Sequence, residues 1–171
     1  MYRKGDYVNY STQGICEIED IQLIKFNSDS LARKYYILKP IHQKNACIYV
    51  PVDNQNLIDH MRPVLSSDEI DKVILSTKNH KIPWTKDRKQ RTSEFQAILS
   101  RRDEKELLQL ASCLYWKSKN DAKGLCSSDS QILKKAETII AQEFSFSLNI
   151  NPQDIGTYIR QKLNISEPVH T

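Results

Sequence analysis

Short apolar segments run through the first 65 residues, and residues 15–21 alternate in a rough period of two, which is the period of β-strands with one buried face. Polar turns interrupt the alternation, and Gly14 can adopt the positive φ that one of these turns requires. Four or five short strands with tight connections favour a small, strongly bent sheet or partly closed barrel, whose edges another chain can cover. The four clearest strand segments are residues 7–10, 15–21, 35–39 and 46–50.

From residue 66 onward the hydrophobic period changes to that of helices. Ser66 and Glu69 have the spacing of a capping box. Pro83 interrupts the helical pattern and can occupy the first turn of a new helix over residues 84–99. Further helices are predicted to begin after residues 103, 127 and 151.

This change of period predicts an α+β fold, with a β domain at residues 1–65 and a helical domain at residues 66–171. With 171 residues and 39% hydrophobic content, the chain is long enough for two small domains. No apolar run approaches the roughly 20 residues that span a bilayer, and the N-terminal residues lack an apolar leader. We therefore expect a soluble, cytoplasmic protein with no membrane partner.

The cysteines and histidines are scattered along the chain, whereas metal ligands cluster at short spacings. Each cysteine lies in or beside an apolar segment, which predicts buried, reduced thiols. The chain has no glycine-rich phosphate loop, and no base is identifiable that would make Cys126 a nucleophile. We therefore expect no metal, no cofactor and no enzymatic activity. The four cysteines are Cys16, Cys47, Cys113 and Cys126.

Positive charge is concentrated in residues 80–102, which contain seven basic and two acidic side chains, although the whole chain has a net charge of only +4. Such a local basic patch attracts phosphate backbones. Solvated helix faces commonly have acids interleaved at i,i+4, and the start of this segment offers only Asp87. A solvated cationic face is the alternative interpretation. The cations expected to bind phosphate are Lys86, Arg88, Lys89 and Arg91.

Trp84 lies directly before this basic cluster and after a proline. A tryptophan at the start of a helix commonly packs against the protein, and deep burial would be the sign of that role. The neighbouring cations favour another role, in which the ring stacks on a base or wedges into a base step while the cations bind phosphates. Trp116, by contrast, lies inside an apolar helical pattern and is predicted to belong to the core.

The order of motifs along the chain resembles a known family. The motifs are Gly5-Asp6, Tyr10-x-x-x-Gly14, Glu17-x-x-x-Ile21, Tyr36-Ile37-Leu38-Lys39, Tyr49-Val50-Pro51, the tryptophan-led basic helix and Lys123-Gly124-Leu125. Together, from residue 3 to about residue 145, they resemble the CarD/CdnL family of bacterial transcription regulators, and the tail after about residue 149 is unmatched. The resemblance implies a Tudor-like (SH3-like) N-terminal barrel that binds the β subunit of RNA polymerase, a barrel also found in transcription-repair coupling factors. It further implies a compact helical domain that contacts promoter DNA.

In that family, a tryptophan before the basic helix enters the minor groove at the upstream edge of the melted region and stabilises the open complex. Trp84 occupies the matching position, and Lys86 and Lys89 match basic positions after it, whereas Arg88 and Arg91 are included on the charge argument. The DNA contact is expected to be largely independent of sequence. The resemblance and the edge-strand argument predict polymerase contacts at Ile24, Lys25, Ile48, Tyr49, Val50 and Pro51.

The chain departs from the family pattern on the polymerase-binding side. Family members usually have proline where this chain has Ser11, often a basic residue where it has Tyr49, and a basic position late in the second strand where it has Ile24. Pairing through the backbone of an edge strand tolerates such changes of side chain. The alternative function is a protein-interaction adaptor whose β domain binds a partner strand with no direct DNA role. In either function we expect a monomer.

Overall fold

The computed structural model describes residues 1–26, 31–43, 45–78 and 81–165. The chain divides into two compact units, Met1–Val64 and Leu65–Thr171. His80, the first residue of the basic segment, and the end of the C-terminal tail lie outside the described residues.

The N-terminal unit is built on a five-stranded antiparallel sheet, followed in the chain by helices, so the predicted α+β fold is confirmed. The strand order is β4-β3-β2-β1-β5, which places β4 and β5 at the two edges. Among the described residues no pairing joins these two edges, and the closed barrel stays a prediction. The strands are β1 (Tyr7–Tyr10), β2 (Gly14–Ile24), β3 (Arg33–Pro40), β4 (Ile48–Pro51) and β5 (Met61–Pro63), and a short helix α1 (Gln55–Ile58) precedes β5.

One face of this sheet forms the core of the N-terminal unit. Val8, Cys16, Ile18, Leu38 and Val50 are fully buried there. The β2–β3 register shifts between residues 18 and 20, because a β-bulge inserts an extra residue into β2. This bulge explains why the alternation along the second predicted strand is only approximate.

Ser11 begins a one-turn 3-10 helix (Ser11–Gln13) with a φ of 43°, in the left-handed region. Proline is fixed near a φ of about −65° and cannot adopt this conformation. Serine in place of the family's usual proline therefore accompanies a backbone conformation that proline would exclude.

The helical unit contains five α-helices within the described residues. The capping box predicted at Ser66 is present, because the Ser66 side chain accepts from the backbone N–H of Glu69 and the Glu69 carboxylate accepts from that of Ser66. The helices are α2 (Ser67–Ser76), α3 (Arg88–Arg101), α4 (Glu104–Asn120), α5 (Ser127–Leu148) and α6 (Ile155–Leu163), with a 3-10 turn at Pro152–Asp154.

The helix predicted from residue 84 begins later, at Arg88. Asp87 is its N-cap and accepts a hydrogen bond from the backbone N–H of Gln90 at 2.7 Å. An aspartate in this position stops the helix from extending toward the N-terminus, because its own backbone is extended. Trp84 consequently lies in an irregular segment before α3, where its position depends on tertiary contacts.

The core of the helical unit includes the fully buried Phe95, Leu110, Leu114 and Phe144. The prediction that Trp116 belongs to this core is wrong, since its side chain is 48% exposed. Two residues correspond to about 200° of helix rotation, so Trp116 faces away from the buried stripe that contains Leu114.

Burial of the cysteines differs from the prediction at several positions. Cys16 is buried, as predicted, and desolvation raises the pKa of its thiol to about 11. Cys47 is exposed, and Cys113 and Cys126 are half-buried. Cys47 directly precedes the edge strand β4, where the sheet ends and leaves the side chain open to water. No helix in the described ranges is long and apolar enough to cross a membrane.

Candidate interaction sites

Among the residues that the structure describes, the edge strand β4 pairs with β3 and with no other strand. The Val52 N–H donates to the Lys34 carbonyl at 2.9 Å, and these two residues continue the β3–β4 register by one position. Hydrogen-bonded and non-hydrogen-bonded pairs alternate along an antiparallel ladder. Tyr49 is therefore in a non-hydrogen-bonded pair with Ile37, and its N–H and C=O point away from β3.

The predicted polymerase contacts on β4 separate onto two faces of the sheet. Val50 is fully buried and Ile48 packs against the same core, so the Val50 side chain is not available to a partner. Tyr49 is 43% exposed and Pro51 is half-buried. The edge consequently offers the backbone of β4 and the side chain of Tyr49, whereas the side chain of Val50 faces the core.

Ile24 and Lys25 lie where β2 ends, with Ile24 half-buried and Lys25 exposed. One residue further on, Phe26 reaches β3 and β4. Its ring lies edge-on to Tyr35 at a centroid distance of 5.2 Å and to Tyr49 at 5.4 Å. The three rings form an aromatic cluster beside the β4 edge, in which Phe26 is 57% exposed.

Phe26 and Tyr35 were not among the predicted contacts. The sequence contains one signal for Tyr35. In a strand, neighbouring side chains face opposite ways, so Tyr35 and Tyr36 cannot both be in the core. The burial of Tyr36 therefore leaves Tyr35 on the face that bears Tyr49.

In the helical unit, Trp84 is half-buried and packs against the core. Its ring lies 6.3 Å from that of Phe95, in an edge-on arrangement. Two cations approach the ring: the guanidinium carbon of Arg91 is 4.4 Å from the ring centroid, and Lys117 Nζ is 5.1 Å away. Trp84 is therefore supported from within the protein without the deep burial that a purely structural tryptophan would have.

Arg91 is the one predicted DNA contact whose side chain is buried, with only 6% of the residue exposed. Its Nη2 donates to Asp129 Oδ2 at 2.8 Å, and its Nε donates to the same oxygen at 3.3 Å. Its Nη1 donates to the backbone carbonyls of Thr85 at 2.9 Å and Lys86 at 3.3 Å. The hydrogen bond to Asp129 raises the pKa of Arg91. This guanidinium is committed to intramolecular partners, which corrects its prediction as a phosphate contact.

The other predicted cations are presented to solvent. Lys86, Arg88 and Lys89 are exposed at and before the start of α3. Arg88 Nε donates to Ser128 Oγ at 3.4 Å, a long contact that orients the side chain near the N-terminus of α5. Within the described ranges neither lysine forms an ion pair, so both ammonium groups are available to an anionic partner.

The two sites each combine polar and apolar groups. The β4 edge offers backbone hydrogen-bonding groups beside an aromatic cluster, an arrangement that suits a partner strand. The segment around Trp84 offers three exposed cations beside a supported indole, an arrangement that suits a phosphate backbone and a base step.

No curated protein matches the chain significantly. The family model of the CarD-like/TRCF RID domain matches residues 2–65, which is nearly the whole of the N-terminal unit. The resemblance inferred from motif order is therefore confirmed for this unit, while the helical unit lies outside the match. Residues 2–65 are thus similar to the CarD-like/TRCF RID domain family.

Proposed function

We propose that this protein is a bacterial transcription regulator that binds the β subunit of RNA polymerase through its N-terminal unit and contacts promoter DNA through its helical unit. The observation that carries the proposal is the match to the CarD-like/TRCF RID domain over residues 2–65, in a unit whose described residues leave one long side of β4 unpaired. The regulator acts by binding and has no catalytic role. Closure of its sheet into a Tudor-like barrel belongs to the same proposal.

The polymerase contact is a strand added to the edge of β4. The outward N–H and C=O of Tyr49 supply backbone hydrogen bonds, which depend little on the partner's sequence. The aromatic cluster of Phe26, Tyr35 and Tyr49 supplies apolar surface beside that strand. Aromatic side chains are enriched among the residues that dominate binding energy at interfaces, so this cluster gives the contact its side-chain specificity.

The DNA contact combines phosphate binding by Lys86, Arg88 and Lys89 with insertion of Trp84 at the upstream edge of the melted region. Wedging an apolar ring between base steps costs unstacking energy, and this cost is smallest where the duplex is already opening. A tryptophan that enters there stabilises the open complex against closing. The exposure of the three cations and the incomplete burial of Trp84 support this contact.

Neither contact has to be strong by itself. Two weak sites in one molecule raise each other's effective concentration when both targets belong to one assembly. DNA binding by the isolated protein is therefore expected to be poor, while its effect on a polymerase–promoter complex is large.

The polymerase contact can be tested with two substitutions at one residue of the full chain. Tyr49→Pro removes the outward N–H and leaves the β3–β4 hydrogen bonds in place, because proline is tolerated where an edge strand faces solvent. Tyr49→Ala keeps the N–H and removes the ring. In pull-downs with the polymerase β subunit, Tyr49→Pro should bind less than Tyr49→Ala, and both less than wild type. Wild-type binding by Tyr49→Pro would exclude strand addition at this edge.

The DNA contact can be tested with Trp84→Ala, which should shorten the lifetime of the promoter open complex without weakening binding to the β subunit. Trp116→Ala is the matched control, because it removes the chain's other tryptophan. If Trp84→Ala leaves the lifetime unchanged while polymerase binding persists, the protein is an adaptor and the wedge is refuted.

A further inference from the structure

We propose that the buried pair of Arg91 and Asp129 is the device that positions Trp84 for its contact with DNA. The positioning is a property of the free protein, and its effect on the open complex rests on the proposed function. Arg91 is thus a positioning residue that acts through Trp84, although its charge would suggest a direct phosphate contact.

Arg91 contacts the tryptophan-bearing segment in two ways. Its guanidinium carbon lies 4.4 Å from the Trp84 ring centroid, within the range of a cation–π interaction. Its Nη1 donates hydrogen bonds to the carbonyls of Thr85 and Lys86, the two residues that follow Trp84. The same side chain therefore restrains both the ring and the backbone that carries it.

Asp129 holds the guanidinium in this orientation from the first turn of α5. Its Oδ2 accepts two hydrogen bonds from Arg91, through Nη2 and Nε, and the aspartate is only 1% exposed. The pair thereby links α5, α3 and the irregular segment before α3, three parts of the helical unit that meet at the guanidinium.

A lysine could not make this set of contacts. The planar guanidinium directs its N–H groups in fixed directions, so one side chain bonds a carboxylate and two carbonyls while it lies over a ring. A lysine ammonium is a compact, strongly hydrated charge on a flexible stem. It could keep the ion pair with Asp129 and would lose the fixed geometry toward residues 84–86.

A role in stability alone does not account for the pair. Replacing a buried ion pair by apolar residues of similar size is often neutral or stabilising, because desolvation of both charges offsets their attraction. An apolar pair could keep the stability, but it could not make the contacts that restrain the Trp84 segment. This contrast separates positioning from stability in one experiment.

The experiment uses the full chain with Trp116→Phe, because Trp84 is then its only tryptophan. In this background, Arg91→Met together with Asp129→Leu removes the pair without leaving an uncompensated buried charge. Arg91→Lys is a second variant, which keeps the charge and loses the planar arrangement of guanidinium donors. It therefore tests the same geometry if the double variant fails to fold. Arg101→Met is the matched control, because it removes an arginine of the same helix that forms an exposed ion pair with Glu106.

The first measurement is the emission of Trp84 and its quenching by acrylamide in the free protein. A red shift and a larger quenching constant in the double variant and in Arg91→Lys, with neither change in Arg101→Met, would support positioning by the pair. Unchanged emission and quenching in the folded variants would overturn it. This result does not depend on polymerase or DNA.

The second measurement is the open-complex lifetime, compared with that of Trp84→Ala. The double variant should lose the stabilisation to the same extent as Trp84→Ala, while Arg101→Met keeps it. A full lifetime in the double variant, beside a short one in Trp84→Ala, would overturn the functional part of the inference. If Trp84→Ala itself has a full lifetime, the proposed function fails, and the fluorescence result alone decides whether the pair positions the ring.

Discussion

Arg91→Ala should destabilise the helical unit far more than the removal of any exposed arginine. The substitution leaves Asp129 buried at 1% exposure without its partner. Removing one member of a buried, hydrogen-bonded ion pair costs about 3–5 kcal/mol, because the remaining charge is desolvated and uncompensated. The substitution also removes the hydrogen bonds to the carbonyls of Thr85 and Lys86. Water can reach this segment and replace the lost donors, so their loss adds less to the destabilisation.

Arg101→Ala provides the comparison within the same helix. Arg101 Nε lies 2.7 Å from Glu106 Oε2, as close a contact as that of Arg91, but the two side chains are 53% and 38% exposed. Exposed ion pairs contribute roughly 0–1 kcal/mol, because water screens both charges. Two arginines with similar distances to their carboxylates should thus differ by about 2–5 kcal/mol in their effect on stability.

Urea unfolding followed by tryptophan emission measures this difference in the right part of the chain. Both tryptophans, Trp84 and Trp116, belong to the helical unit, so their emission reports its unfolding separately from that of the sheet. With a denaturant slope of about 1–3 kcal/mol/M, Arg91→Ala should lower the urea midpoint by roughly 1 M or more. Circular dichroism follows the helices and checks that the emission change is unfolding.

Equal free energies of unfolding for Arg91→Ala and Arg101→Ala would refute the reasoning, since burial would then have no effect on the stability cost of removing an ion-pair partner. The double substitution Arg91→Met with Asp129→Leu provides a further check. It should remain close to wild type in stability, because neither charge is left buried alone.

Two further predictions concern charge. Replacing Lys86, Arg88 and Lys89 by alanine should reduce the slope of log K against log salt for promoter DNA by up to about 2.7, since each phosphate contact contributes about 0.9. Alanine substitutions of the exposed Lys134 and Lys135 of α5 are the matched controls. An unchanged slope in the triple variant would contradict the proposed DNA surface. The hydrogen bonds that Asp71 accepts from Lys162 and Tyr158 hold the pKa of its carboxyl below its ordinary value of 3.8, so its contribution to stability is present above that pH and is lost as the pH falls through the lower folded-state value. Asp71→Asn should therefore be less stable than wild type at neutral pH, and this difference should shrink in acid; a difference that stays constant in unfolding measurements across this range would show that the carboxylate charge has no part in it.

Much of the fold follows from short-range patterns in the sequence. The strands and helices lie close to the predicted segments, because alternation, capping residues and prolines act within a few residues. Strand β5 was not located in advance, since Met61–Pro63 is short and ends in a proline. The start of α3 was misplaced because Pro83 and Asp87 both suit a helix N-terminus, and only the structure distinguishes them.

The candidate sites were predictable only in part, because residues far away in the sequence decide whether a charged side chain is buried or exposed. Arg91 and Lys89 are indistinguishable as cations in the sequence, yet one is buried and the other is exposed. The partner that buries Arg91 lies 38 positions away, in another helix. Likewise, Phe26 joins Tyr49 only through the pairing of three strands. Local patterns do not contain such information.

The burial of Arg91 also changes the expected strength of the DNA contact. The three exposed cations of the proposed surface contribute a salt slope of about 2.7, which is a loss of roughly 40-fold in affinity between 50 and 200 mM salt. A protein with six to ten phosphate contacts loses about 10³–10⁵ over the same range. These three phosphate contacts are too few for strong binding by themselves, so the proposed DNA contact requires a second attachment to the same complex. The N-terminal unit is suited to provide that attachment, because a strand paired at the β4 edge would be held by backbone hydrogen bonds and apolar surface, neither of which depends on the promoter's phosphates.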